Sequence, residues 1–211
     1  MPPDDILLTA AAFLLLAAYH LHLYWVRRHS PAVTSFARNA QTRTTWVQNI
    51  MEHNRDILAV QTLRNWTMAA SFLASTSILI ALALLNVALT ARLSPASLPG
   101  TSILGSHPEG LRLAKLLLLS ADFFFAFFNF TLAIRYYNHV GFMINVPRGP
   151  QSLVDLTYVA DTLNLAATHY TLGMRGYYLA IPLAFWLLGP GWLLAASSVL
   201  TAVLYKLDRT G

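Results

Sequence analysis

Apolar residues fill four long blocks of this chain, and polar or charged residues recur in the segments between them. The blocks cover residues 6–26, 67–90, 113–136 and 177–205. About 20 residues at about 1.5 Å rise per residue cross the hydrocarbon layer of a bilayer, so each block predicts a transmembrane helix. We therefore expect an all-α, polytopic integral membrane protein with four transmembrane helices, built as a single membrane domain over residues 1–211.

The two longer connecting segments, 27–66 and 137–176, also have helical patterns. Residues 36–66 alternate apolar side chains with polar ones and contain no proline, which is typical of an amphipathic helix that lies on the membrane or runs into the second span. In the second segment, apolar residues recur three and four apart, at Leu153, Leu156, Ala160, Leu163, Ala167 and Tyr170. This short heptad seam predicts a helix that packs either on the protein's own cytoplasmic face or against a partner.

Charge is sparse and unevenly placed. Of the 211 residues, 56% are hydrophobic and 11% charged, and the net charge is +5. Most of the basic residues lie in the two long segments or, for Arg135, where the third span leaves the membrane: Arg27, Arg28, Arg38, Arg43, Arg55, Arg64, Arg135, Arg148 and Arg175. The other side would hold Arg92, Arg112, Lys115, Lys206 and Arg209. By the positive-inside rule, both long segments are cytoplasmic and both termini lie outside the cytoplasm, in the inner membrane if the source is bacterial. The basic excess is then a topology signal and predicts no nucleic-acid partner.

The residue types present restrict the chemistry. The chain has no cysteine, which excludes disulfides, thiolate metal sites and iron–sulfur clusters. No nucleophile elbow, Walker loop, zinc-protease helix or glycine-rich nucleotide turn occurs. We therefore predict no cofactor, and the motifs give no support for an enzymatic activity. A haem- or metal-binding membrane enzyme stays open as an alternative, with His20, His22 and His139 as weak ligand candidates.

The third span carries a polar stripe. Lys115, Asp122, Asn129 and Tyr136 are spaced by seven and share one helix face. A carboxylate in the middle of a span costs about 2.5 to 3.5 kcal/mol on insertion scales, so this face is expected to point away from lipid. We expect Lys115 to reach water at the outer lip of the membrane. Asp122 would either take part in transport or join neighbouring helices through hydrogen bonds.

The fourth span is interrupted near its midpoint by Gly189, Pro190 and Gly191. Proline removes a backbone donor and clashes with the preceding turn, while glycine lets the chain bend. The break would place free carbonyl groups level with Asp122, as in the discontinuous helices of transporters. The alternative is an ordinary proline kink in a tilted helix.

Three segments, 64–75, 124–145 and 173–190, resemble the uncharacterised membrane-protein family called domain of unknown function 599. The last is the most specific, with Gly-Met-Arg-Gly-Tyr-Tyr-Leu-Ala-Ile-Pro and Trp-Leu-Leu-Gly-Pro. The resemblance covers nearly the whole chain and implies an architecture without catalytic roles. It draws attention to Arg64, Asn65, Arg135, His139, Asn145, Gly173, Arg175 and Trp186.

These observations predict a homo-oligomeric channel or transporter for a small ion or solute in the lipid bilayer. The transport path would be lined by Lys115, Asp122, Asn129, Gly189, Pro190 and Gly191. The cytoplasmic mouth would be formed by Arg64, Asn65, Arg135, His139, Asn145 and Arg175. The alternative is a non-transporting subunit or scaffold of a larger membrane complex, with a membrane or cytoplasmic protein as partner.

Overall fold

The computed structural model describes residues 3–29, 35–93, 109–146 and 154–210, and Arg148 and Leu153 lie outside these ranges. The described residues form six α-helices: α1 (Pro3–His29), α2 (Ser35–Glu52), α3 (Asp56–Leu93), α4 (Glu109–Met143), α5 (Leu156–Trp186) and α6 (Pro190–Thr210). The all-α prediction is confirmed.

Four of these helices are long and apolar enough to cross a membrane. The apolar stretches are Pro3–Val26 in α1, Asp56–Thr90 in α3, Gly110–Met143 in α4 and Pro190–Asp208 in α6. The first three contain the predicted spans. The chain therefore has the fold of a multi-pass helical membrane protein, as its hydrophobic pattern predicts.

The fourth predicted span, 177–205, is wrong as a single helix because the chain reverses within it. α5 ends at Trp186 and α6 begins at Pro190. Arg175 and Asp208 form an ion pair at 2.8 Å, whereas a continuous helix would place them about 50 Å apart at 1.5 Å per residue. Gly189 has φ of +154°, a conformation that favours glycine, and the proline that follows it fits the first position of a helix.

The helices pack in the order α3, α4, α5, α6 and α1, with α2 across one end of α3, α5 and α6. We call that end of the bundle the α2 end. Glycine permits the close approach of α4 and α5. A Cβ atom at Gly173 would lie 2.8 Å from the Phe130 ring, and one at Gly176 would lie 3.1 Å from the Cβ of Ala126.

The end of α6 lies at the α2 end. Asp208 accepts a hydrogen bond from the hydroxyl of Tyr19, and Ser35 at the start of α2 donates to the Asp208 carbonyl oxygen at 3.2 Å. Pro3 and Asp208 therefore lie at opposite ends of the bundle. The reversal at Gly189 brings the end of α6 back to the α2 end. The side of the membrane on which each terminus lies stays a prediction.

The predicted seam of α5 packs on the protein itself. Of the seam residues, Ala160 and Leu163 belong to a buried apolar cluster, and Leu156 and Tyr170 pack against it. The cluster includes residues of α2, α3 and α4, among them Val47, Ile50, Leu63, Tyr137 and Val140. The predicted amphipathic segment, 36–66, is interrupted at residues 53–55, so that its first part forms α2 and the rest belongs to α3. α2 contributes its buried face to the same cluster. Of the two interpretations of the seam, the structure supports packing on the protein's own surface.

Candidate ligand-binding groove

A groove of about 680 Å³ opens at the α2 end, between α2, α3, α4, α5 and α6. Small-molecule sites in proteins span about 300 to 1,000 Å³, so the groove has the size of one. Five aromatic side chains line it: Trp46, Trp66, Tyr137, Tyr170 and Tyr178. The groove also contains Arg43, Arg175 and Asp208.

The aromatic rings support one another. Trp66, on the first turns of α3, stacks on Tyr137 of α4 with ring centroids 6.2 Å apart. Trp66 also meets the edge of Tyr170 of α5 at 5.3 Å. Three helices thus fix the positions of three rings, and the apolar side of the groove is preformed.

Arg43 enters the groove from α2. Its Nε donates a hydrogen bond to Oδ1 of Asn164 at 2.8 Å, and Nδ2 of Asn164 donates to Oγ1 of Thr44 at 3.3 Å. Burial lowers the pKa of the Arg43 guanidinium from its ordinary value, and Tyr137 acts in the opposite direction. An arginine stays protonated in a protein, so its burial leaves a positive charge in partly desolvated surroundings.

Arg175 lines the groove from α5 and forms an ion pair with Asp208. Its Nη2 donates to both carboxylate oxygens of Asp208 at 2.8 Å. The side chains are only 11% and 20% exposed. The Nη1 atom of Arg175 is buried and has no hydrogen-bond partner among the described residues.

The charges that line the groove do not cancel. Arg43 and Arg175 contribute two positive charges against the single negative charge of Asp208. The guanidinium terminus of Arg43 has no acidic partner in the described part of the chain. An aromatic groove with this charge balance can bind an anion that also has an apolar part.

The predicted cytoplasmic mouth is divided in the structure. Arg175 lines the groove, whereas Arg135 and His139 line a second groove of about 460 Å³ between α4 and α5. Arg64, Asn65 and Asn145 are exposed and line neither groove.

The polar stripe of α4 faces α5. Lys115 contacts Trp186, and the Asp122 carbonyl oxygen lies near Gly176. Oδ1 of Asn129 lies 3.1 Å from Nδ1 of His169, and His169 stacks on Tyr136. The prediction that this face turns away from lipid agrees with these contacts.

Lys115 does not reach water. Its side chain is 2% exposed, and its Nζ donates to the carbonyl oxygen of Trp186 at 2.8 Å. The expectation that Lys115 reaches the aqueous surface is wrong, because the free carbonyl groups at the end of α5 supply the partner that water would otherwise provide.

The helix break is not level with Asp122. The residues Gly189, Pro190 and Gly191 follow the end of α5, close to Lys115, whereas Asp122 is level with Gly176. The two levels differ by about 10 Å along α4 at 1.5 Å per residue. Oδ2 of Asp122 is buried and has no hydrogen-bond partner among the described residues.

The histidine candidates do not form a ligand set. His20 uses Nδ1 for a contact of 2.8 Å with the Leu16 carbonyl oxygen, and His139 lies on α4. Within the described ranges, no three histidine, aspartate or glutamate side chains group in a way that could hold a metal ion.

Sequence reasoning missed most of the main groove. Arg175 was among the predicted residues, whereas Arg43, Trp46, Trp66 and Asp208 were not. Arg43 and Trp46 are three residues apart on amphipathic α2, so they share a helix face. That spacing is a signal that could have identified one side of the groove.

The four helices that are long enough to cross a membrane define a multi-pass helical membrane protein. A groove of the size of a small-molecule site lies at one end of its helix bundle. The model of one protein family, described as "Protein of unknown function, DUF599", matches residues 7–211. The chain therefore belongs to this family, and the predicted resemblance is confirmed. No curated protein and no solved structure matches the chain.

Proposed function

We propose that this protein is a membrane transport protein for a small organic anion, and that the groove at the α2 end is its binding site. The observation that carries the proposal is the pair Arg43 and Arg175, two guanidinium groups in one aromatic groove. Guanidinium groups bind carboxylate and phosphate through charge-assisted hydrogen bonds, and they do so more strongly where water is partly excluded.

The composition of the groove supports an anion that has an apolar body. Trp46 and Trp66 offer broad rings, and Met174 and Leu204 add aliphatic surface. Burial of apolar ligand surface against such side chains contributes about 25 cal/mol per Å². A small inorganic anion would leave this surface without a contact.

The distribution of basic residues supports an orientation with the α2 end in the cytoplasm. Lys206 and Arg209 lie on the last turns of α6, and therefore at the same end as the arginines of α2. The basic excess at that end is larger than the sequence alone predicts, because the chain reverses at Gly189. In this orientation α1 begins outside the cytoplasm and α6 ends inside it.

Transport also requires a path from the groove to the opposite side. The α4 face with Lys115, Asp122 and Asn129 packs on α5, so a path along it would open only if these helices separate. We propose that copies of the chain assemble, and that separation of α4 from α5 opens this face toward a path that the copies share. The orphaned Oδ2 of Asp122 would then be its midplane polar group.

Binding is the first property to test. The purified protein in lipid nanodiscs would be titrated with a panel of aromatic and aliphatic carboxylates and phosphates, with neutral amides of the same shape as comparison. The quenching of tryptophan fluorescence reports binding because Trp46 and Trp66 line the groove. We expect the anions to bind and the amides to bind at least about tenfold more weakly.

Arg43→Gln and Arg64→Gln form a matched pair for this test. Arg43 lines the groove, whereas Arg64 is exposed and lies on the adjacent helix outside it. We expect Arg43→Gln to lower anion affinity about tenfold and Arg64→Gln to leave it unchanged. Equal effects of the two variants would reject the groove as the site.

Flux in proteoliposomes separates transport from binding. An anion that binds in nanodiscs would be enclosed in liposomes, and its release would be followed with wild type, Arg43→Gln and Asp122→Asn. Release by wild type and its loss in Arg43→Gln would support transport. Binding without release would make the protein a membrane-bound receptor for the anion.

A further inference from the structure

We propose that the second groove, between α4 and α5 at the α2 end, binds the headgroup of an anionic phospholipid. The groove measures about 460 Å³ and includes Arg135, Asn138, His139, Phe142 and Tyr158. The site is separate from the main groove, because the two share no lining residue.

A second face of α4, distinct from the polar stripe, carries Arg135 between two exposed phenylalanine side chains. Phe128, Arg135 and Phe142 are spaced by seven and share one helix face. Phe128 is 62% exposed and Phe142 is 80% exposed, and Arg135 is exposed between them. All three lie in the stretch of α4 that is apolar enough to cross a membrane, so acyl chains or headgroups cover this face.

Arg135 differs from two buried cations of the helix bundle, Lys115 and Arg175. Lys115 binds the Trp186 carbonyl oxygen and Arg175 binds Asp208. Arg135, by contrast, makes no hydrogen bond or ion pair with any residue in the described ranges. A guanidinium cannot lose its proton in a protein, so at the membrane surface it requires an anion or water.

The groove next to Arg135 has the shape and chemistry of a headgroup site. His139 lies one turn beyond Arg135 on the same face, and Asn138 adds an amide. Across the groove, α5 contributes the half-exposed Tyr158 and Leu165. The cationic and polar groups suit a phosphate, and the apolar surface of Phe142 and Leu165 suits the glycerol region and the upper part of an acyl chain.

A lipid fits this groove better than a soluble anion does. Exposed phenylalanine side chains flank Arg135 on the same face of α4, and apolar side chains of this size suit acyl chains better than bulk water. With the α2 end in the cytoplasm, the adjacent leaflet is the one that carries most anionic lipid, which basic residues near the surface attract.

The test uses delipidated protein in detergent, titrated with phosphatidylglycerol or phosphatidylcholine and followed by native mass spectrometry. We expect wild type to retain phosphatidylglycerol in preference to phosphatidylcholine. Arg135→Gln should reduce phosphatidylglycerol affinity about tenfold, Arg135→Lys should restore most of it, and the control Arg64→Gln should not alter it. The three substitutions affect exposed side chains, so the fold should persist.

Three results would overturn the proposal. Equal retention of the two lipids would exclude headgroup recognition. Competition by millimolar inorganic phosphate that removes the bound lipid would make the groove a soluble-anion site. An oligomer mass that falls in Arg135→Gln, without a change in lipid retention, would show that a second copy of the chain covers the groove.

The outcome is independent of the main groove. Arg135→Gln should leave anion binding at Arg43 unchanged, since Arg135 does not line that groove. Failure of lipid binding would therefore leave the proposed transport function standing, and failure of anion binding would leave the lipid site standing.

Discussion

Nζ of Lys115 donates a hydrogen bond to the carbonyl oxygen of Trp186, the last residue of α5, at 2.8 Å. The same ammonium group lies 5.0 Å from the centroid of the Trp186 ring. The last carbonyl groups of a helix lack partners within the helix and carry a partial negative charge. Lys115 therefore closes the end of α5 at the point where the chain turns toward α6.

Lys115→Met should destabilise the protein. Methionine keeps an unbranched side chain of similar length but leaves the Trp186 carbonyl oxygen without its donor, at a cost of about 1 to 3 kcal/mol. The free energy of unfolding, measured by titration from mild detergent into sodium dodecyl sulfate, checks this. Leu118→Met, a change at a half-exposed position of the same helix, is the control, and equal stability of the two variants would contradict the prediction.

Gly173→Ala should destabilise the packing of α4 on α5. The added Cβ atom would lie 2.8 Å from the ring of Phe130, and such overpacking costs about 1 to 3 kcal/mol. Gly191→Ala is the control, because a Cβ atom there meets nothing within 4 Å. Thermal unfolding in detergent measures both, and Phe130→Leu combined with Gly173→Ala should recover part of the loss. An unchanged unfolding temperature in Gly173→Ala would show that α4 and α5 do not approach this closely.

Asp122→Asn and Asn129→Leu should have different effects on stability. Oδ2 of Asp122 is buried without a hydrogen-bond partner in the described part of the chain, so Asp122→Asn breaks no hydrogen bond at this atom and should not lower the unfolding free energy. Asn129 lies 3.1 Å from the His169 ring nitrogen, and its loss should cost about 1 to 3 kcal/mol. The same detergent titration measures both variants. A large loss in Asp122→Asn would mean that Asp122 ties helices together.

Asp208→Asn should raise the affinity of the main groove for anions. Asp208 is the internal anion that holds Arg175, and an amide in its place leaves more of the guanidinium charge for a ligand. We expect affinity to rise about three- to tenfold, equivalent to about 0.7 to 1.4 kcal/mol. Asp161→Asn, at an exposed position of α5, is the control. Weaker anion binding in Asp208→Asn would indicate that the carboxylate holds Arg175 in position for the anion and does not compete with the anion for the guanidinium group.

Much of the fold follows from local pattern. The spans in α1, α3 and α4 were predicted because the length of an apolar run is a property of neighbouring residues. The amphipathic character of α2 and the helical pattern of α5 were predicted for the same reason. The candidate site was predicted only in part: of the residues that line the main groove, Arg175 alone was among the predicted site residues.

The partners of the helices depend on contacts between distant residues. The sequence Gly189-Pro190-Gly191 fits both a kink and a reversal, and the pairing of Arg175 with Asp208 distinguishes them. The α5 seam fits both self-packing and a partner, and the buried cluster around Leu163 distinguishes those. In each case the local backbone preference is the same for the two outcomes.

The sequence by itself determined the class of protein, the approximate number of spans and the polar face of α4, since these depend on composition and helical period. The family was indicated by the resemblance of three segments and not by these general patterns. Tertiary structure alone decided the reversal at Gly189, the partner of Lys115 and the existence of the main groove. Arg43 and Asp208 come from opposite ends of the chain. Only the packing of five helices brings them together, because the free energy that joins them comes from buried surface and charge and not from any local pattern.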